Sequence, residues 1–140
     1  MSLLIIQRFG VYHWESFTFE DASTKDKFFI ALNCTIGDKV LNLVLPTSQY
    51  EKRYENSPYY LMDTVIVEDG LSKYFSKKTV VDLKNIQQIH ANKIKIENIN
   101  YKGILEQNIC DAIVNTIKKS KLLSQKKIVE LLCESEMIND

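Results

Sequence analysis

For its first hundred residues the chain lays out apolar and polar positions in short segments, and then the spacing changes. Leu3 to Ile6 is a brief apolar run that predicts an entry strand. Residues 9–19 (FGVYHWESFTF) are rich in aromatics and begin to alternate toward their end, which predicts a second strand. A polar loop, 20–26 (EDASTKD), leads into the continuous apolar run Phe28 to Leu32, the pattern of a strand buried on both faces. Thr35-Ile36-Gly37-Asp38 is a turn signal, and Val40 to Leu45 is the partner strand. Pro46, which has no N–H to give to a ladder, ends it. Residues 47–62 are irregular and hold four tyrosines; short strands follow at Thr64 to Val67 and Thr79 to Leu83, with a turn at Glu68-Asp69-Gly70. Lys84 to His90 fits a strand or a helical turn equally well. From Tyr101 to Lys119, Ile104, Leu105, Ile109, Ala112, Ile113 and Ile117 recur three to five apart, the stripe of an amphipathic helix with Asn100 as its N-cap. Ser124 caps a shorter second helix whose apolar face is Ile128, Leu131 and Leu132. Strands first and helices last predict an α+β domain, a small β-barrel with a covering helix.

Length and charge narrow this picture. A chain of 140 residues with 45% apolar side chains builds one core, and 18 basic residues balance 18 acidic ones. The balance is uneven along the chain: residues 1–70 carry 6 bases and 10 acids, residues 71–140 carry 12 lysines and 8 acids. A local basic surface is therefore compatible with a neutral whole, although solvated lysines explain the same count. No apolar run approaches a membrane span, and Leu3 to Ile6 lacks the basic lead-in and cleavage site of a secretory signal, so a cytoplasmic protein without membrane contact is expected. Cys34, Cys110 and Cys133 are odd in number and widely spaced, which supports neither a disulfide framework nor a zinc site.

Few motifs of known chemistry are present. There is no GxGxxG, GxxxxGK[ST], HExxH or GxSxG, and only four glycines and two histidines. No cofactor is expected. Cys34 closes an apolar run, as a small buried hydrophobe does. His13 and His90 are the side chains that exchange protons near neutrality without a shifted pKa. A better constellation lies around the central hairpin. Lys25 and Lys27 precede the Phe28–Leu32 strand, and Pro46-Thr47-Ser48-Gln49 follows the next one. If the two strands pair, their outer ends are neighbours, and Lys27 faces Thr47. A cation beside a hydroxyl suits an oxyanion or a phosphate.

In its order of parts the chain resembles the MazF/PemK family of toxin-antitoxin ribonucleases. The residues that carry the likeness are Gly10, Tyr12 and Trp14; the stretch Lys25 to Asn33; Leu43 to Ser48; Thr64 to Val67; Gly70-Leu71; Thr79 to Leu83; and Ile86-Gln87-Gln88-Ile89 with Lys93 and Ile94. The likeness spans residues 8–119 and implies an SH3-like barrel with a C-terminal helix over residues 1–120, leaving 121–140 as a helical extension. It implies a homodimer, an antitoxin partner, and metal-independent cleavage of single-stranded RNA. In that reaction the 2′-hydroxyl attacks the adjacent phosphorus, leaving a 2′,3′-cyclic phosphate and a 5′-hydroxyl. The family sets an Arg-Pro at the head of its hydrophobic strand and a Thr or Ser after the following one. Lys27-Phe28 and Thr47 stand at those positions.

The resemblance makes Lys27 and Thr47 the catalytic candidates, with His13 as a proton carrier. RNA would be held by Lys25, Ser48, Gln49, Trp14, Tyr50 and Arg53, since aromatics among cations in an irregular loop suit stacked bases and phosphates. Lysine in place of arginine gives a point charge where the family has a two-pronged fork. A catalytically silent barrel that binds RNA or protein is the alternative expectation.

Overall fold

The computed structural model describes residues 5–18, 21–33, 35–36, 40–48 and 58–138. Among these, the strands are β1 (Ile5–Ile6), β2 (Gly10–Thr18), β3 (Thr24–Ala31), β4 (Thr35–Ile36), β5 (Val40–Val44), β6 (Thr64–Val67), β7 (Thr79–Asp82), β8 (Gln87–His90) and β9 (Ile99–Ile104). The helices are α1 (Pro58–Leu61), α2 (Gln107–Lys119) and α3 (Gln125–Ile138). The class is α+β: a five-stranded antiparallel sheet ordered β8-β5-β3-β2-β9, with helices at the C-terminal end. β6 and β7 form a separate hairpin, and β1 pairs with β4. Among the described residues these pairings form an open sheet beside a hairpin, with β8 and β9 at the sheet edges. Among the described residues no helix is long and apolar enough to cross a membrane.

Strand alternation gives the sheet two faces, and each has its own core. One face contributes Val11, Ile30, Leu32 and Val44 to an aliphatic core completed by Val65, Val67 and Val81 of the hairpin and by Leu105, Ile109, Ile113 and Ile117 at and within α2. The opposite face contributes Tyr12, Trp14, Phe17, Phe29, Ala31, Leu41 and Leu43 to a second, aromatic core with Ile6 and Ile94. The continuous run at Phe28–Leu32 thus serves both faces, although Phe28 itself is 37% exposed.

The C-terminal extension belongs to the aliphatic core. Leu131 of α3 is fully buried there, with Ile128 and Leu132 packed against it. Polar contacts fix its position. Arg8 donates to the carbonyls of Leu32 at 3.2 Å and Leu131 at 3.1 Å, and its guanidinium lies 4.6 Å from the Phe9 ring centre. Lys127 Nζ donates to the buried carboxamide of Asn42, which in turn donates to Glu130 at 3.4 Å. Ser124 caps α3 as expected, accepting from Lys127 N–H at 3.1 Å.

Two sequence expectations need correction. The polar residues Thr24 to Asp26 are strand rather than loop, because this segment pairs with β2. The helix placed at Tyr101 begins at Gln107, and Ile99–Ile104 is instead the edge strand β9. The reason is local. Gly103 sits at φ +144°, outside helical space, and a Cβ there would run into the Tyr74 hydroxyl, which donates to Ile104 O at 2.9 Å. Ile104 and Leu105 continue the apolar spacing of the helix, but they belong to the strand and the connection leading into it.

Candidate functional site

The head of β3 carries the cationic candidates, and a bulge in β2 shapes their surroundings. Trp14 and Phe17 are three apart, so strict alternation would send them to opposite faces. Ser16 adopts φ +57°, the register slips between Trp14 and Phe17, and both rings join the aromatic core. They meet edge to face at 4.9 Å, and Trp14 meets Phe29 at 5.6 Å. Asp26 secures the bulge by accepting from Ser16 N–H at 3.0 Å. Lys27 consequently lies opposite Trp14, and Lys25 opposite Phe17. Both lysines share the face of Phe29 and Ala31 by alternation. Lys27 is half-buried and Lys25 exposed, so this edge of the aromatic core is fringed by two cations.

Thr47 is reached differently. β3 and β5 pair at Ile30–Val44 and Ala31–Leu43. Continued outward, that register sets 29 against 45, 28 against 46 and 27 against 47. The paired stretch stops at Val44, and Pro46 has no N–H to extend it. Thr47 instead bridges to β7: its N–H donates to Val80 O at 3.0 Å and its carbonyl accepts from Val80 N–H at 2.8 Å. This bridge joins the end of β5 to the β6–β7 hairpin. Thr47 is half-buried and Ser48 exposed.

The structure does not bring His13 to Lys27. His13 pairs with Phe28, meets that ring edge-on at 5.2 Å, and follows Val11 on the aliphatic face of the sheet. Adjacent registers on a pleated strand point to opposite sides, so the sheet separates the imidazole from the Lys27 face. Trp14 is buried between Phe17 and Phe29, a supporting position rather than an open stacking platform. Gln49, Tyr50 and Arg53, and likewise Cys34 and Tyr54, lie outside the described residues.

The lysines between Leu71 and Asn85 divide by environment. Lys84 is structural: its ammonium lies 2.9 Å from the buried Asp82 carboxylate, donates to Met62 O, and sits 5.9 Å from the ring centre of the exposed Tyr59. Asp82 also accepts from Asn85 at 2.7 Å and from Lys84 N–H at 3.0 Å. Lys73 and Lys77 are exposed, and Lys78 faces Glu68 at 3.7 Å. Their loop is stapled to the start of α2 through Glu106, which accepts from Ser72 Oγ and Lys73 N–H, both at 2.8 Å. Burial works against ionising Glu106, but the Lys73 N–H, its own N–H and the Ser72 hydroxyl together hold its carboxyl below the usual range.

The remaining nucleophile on view is inert. Cys110 is buried, its thiol contacts Leu105 O at 3.4 Å, and burial, aided by Asp111, pushes it up to about 11. Among the described residues no three His, Cys, Asp or Glu side chains gather into a group able to hold a metal ion.

Sequence reasoning missed the bulge that puts Trp14 and Phe17 together, and Asp26 as its clasp. The signal was the odd spacing of two aromatics within one strand. No protein-family model matches this chain. A search of curated proteins likewise returned no match.

Proposed function

We propose that this chain is a MazF/PemK-like, toxin-type endoribonuclease with an SH3-like barrel, cutting single-stranded RNA at the rim formed by the head of β3 and the residues after β5. The observation that carries the reading is the register: the β3–β5 count runs Lys27 toward Thr47, on the face where Lys25 also stands. Lys27 neutralises the charge that builds on phosphorus as the 2′-hydroxyl attacks. Thr47, tethered through its backbone to Val80, orients the scissile phosphate. Lys25 takes the proton-carrying part for which His13 stands on the wrong side of the sheet. Electrostatic stabilisation of this kind is worth ~10²–10³ in rate. Cytoplasmic location, a homodimer and silencing by an antitoxin belong to the same proposal.

The test is incubation of the purified chain with single-stranded RNA in EDTA. Products ending in 2′,3′-cyclic phosphate, lost in Lys27→Ala, are expected. Undiminished cleavage by Lys27→Ala removes the mechanism. A second reading, a silent barrel that binds RNA or protein without cutting, is favoured by one observation: the sheet separates His13 from Lys27. Binding by the wild-type chain with no product in any buffer would select it.

A further inference from the structure

We infer that the α2–α3 turn is a second nucleic-acid contact, a docking surface for the phosphate backbone of a single strand, separate from the Lys27 rim. From Ala112 to Val129 the chain carries five lysines and no acid. Lys118, Lys119, Lys121 and Lys126 are all exposed. Two of them are explained by helix physics alone, since cations at a helix C-terminus complement its dipole, and Lys118 and Lys119 end α2. Lys126 and Lys127 are not so explained. They occupy the first turn of α3, where the dipole favours acids and none is present. Lys127 offsets this through Asn42 and Glu130. Lys126 remains exposed, at a position that costs stability unless an anion visits.

The turn displaying these charges is ordered by its serines. Ser120 Oγ accepts from Leu123 N–H at 2.9 Å and Leu122 N–H at 3.2 Å, and donates to Asp63. Ser124 caps α3. Leu123 turns inward to the aliphatic core. Four exposed lysines therefore flank a turn whose backbone is ordered, so the chain itself loses little further entropy on engaging a polyanion. Of the carboxylates that face this turn among the described residues, Asp63 is engaged by Ser120 and Glu130 by Lys127. Leu122 and Val129 are the large apolar side chains exposed along this stretch, two isolated positions rather than a continuous face that could insert into a bilayer. Charge that outweighs apolar surface suits a phosphodiester chain.

The test compares the full wild-type chain with the variant Lys118→Gln/Lys119→Gln/Lys121→Gln/Lys126→Gln, using a labelled 2′-O-methyl oligouridylate, which cannot be cleaved, and following anisotropy across a salt series. Each phosphate contact contributes ~0.7 to the log–log salt slope, so the variant should flatten it by up to ~3 units and weaken binding at least ~10-fold at low salt. An unchanged slope and affinity, with unchanged circular dichroism, overturns the inference. Wild-type protein that ignores the oligonucleotide but binds phosphatidylserine vesicles overturns it too. A separate incubation of the wild-type chain with unmodified RNA keeps the two claims apart: if nothing is cut there yet the four lysines govern binding here, this inference stands while the cleavage reading falls.

Discussion

The two faces of the central sheet are built from different materials and do different things. The aliphatic face is roofed by the β6–β7 hairpin and by α2 and α3, and polar clamps at Arg8 and Asn42 fix the last helix to it. The aromatic face is smaller; Tyr12 stacks on Phe29 at 5.1 Å, Trp14 and Phe17 meet edge to face, and its rim bears Lys25 and Lys27. One face is closed by secondary structure and the other by rings fringed with cations. The lesson is a division of labour: packing capacity is spent under the helices, while the face left to the aromatics is the one that keeps charge at its edge.

Breaking either core should have the largest effect. Phe29 and Ile113 are fully buried on opposite sides of the sheet. Phe29→Ala should cost ~3–5 kcal/mol and Ile113→Ala ~2–5 kcal/mol in urea unfolding, since each leaves a cavity in a packed layer. The comparison sharpens if Phe29→Ala also weakens the RNA binding proposed for the Lys27 rim while Ile113→Ala, at matched stability, does not. Next comes the buried pair at the end of the hairpin. Asp82→Ala strips the partner from a Lys84 side chain that is 7% exposed, so a loss of ~3–5 kcal/mol is expected by the same measurement.

Gly103→Ala should follow, destabilising by ~1–3 kcal/mol, because alanine meets both an unfavourable φ and the Tyr74 hydroxyl. Glu106 gives the smallest effect and the one with a pH signature. Its carboxyl is held low in the folded state, so its contribution is complete above the unfolded value near 4.5 and disappears as pH falls through the lower folded value. Glu106→Gln should flatten the acid limb of the stability–pH curve and cost ~1–2 kcal/mol at neutral pH, read from thermal unfolding.

How much of this was readable beforehand depended on whether a feature obeyed one period. β5, β6 and β7 follow from simple apolar runs bounded by turn residues, and the cap at Ser124 follows from its residue type. β9 did not, because Ile104 and Leu105 sit in phase with the helix that follows, and only a glycine at positive φ marks the break. The site was partly legible. Lys25 and Lys27 at the head of β3, and a strand ending before Thr47, are sequence features that the register preserves. His13 was misassigned to the same site because sequence gives the parity of a position within its own strand, not which face of the sheet that parity meets. Trp14 seemed available for stacking because the bulge at Ser16, a tertiary choice, is invisible to a count of alternating residues.

Lys27 and His13 on opposite faces of one sheet make the most direct test a side-by-side rate measurement. Wild type, Lys27→Ala and His13→Ala are given the same single-stranded RNA in EDTA, and initial cleavage rates are compared at neutral pH. The account predicts a loss of ~10²-fold or more for Lys27→Ala and a change within a few-fold for His13→Ala. A His13→Ala variant that fails to cut while Lys27→Ala still cuts would contradict it.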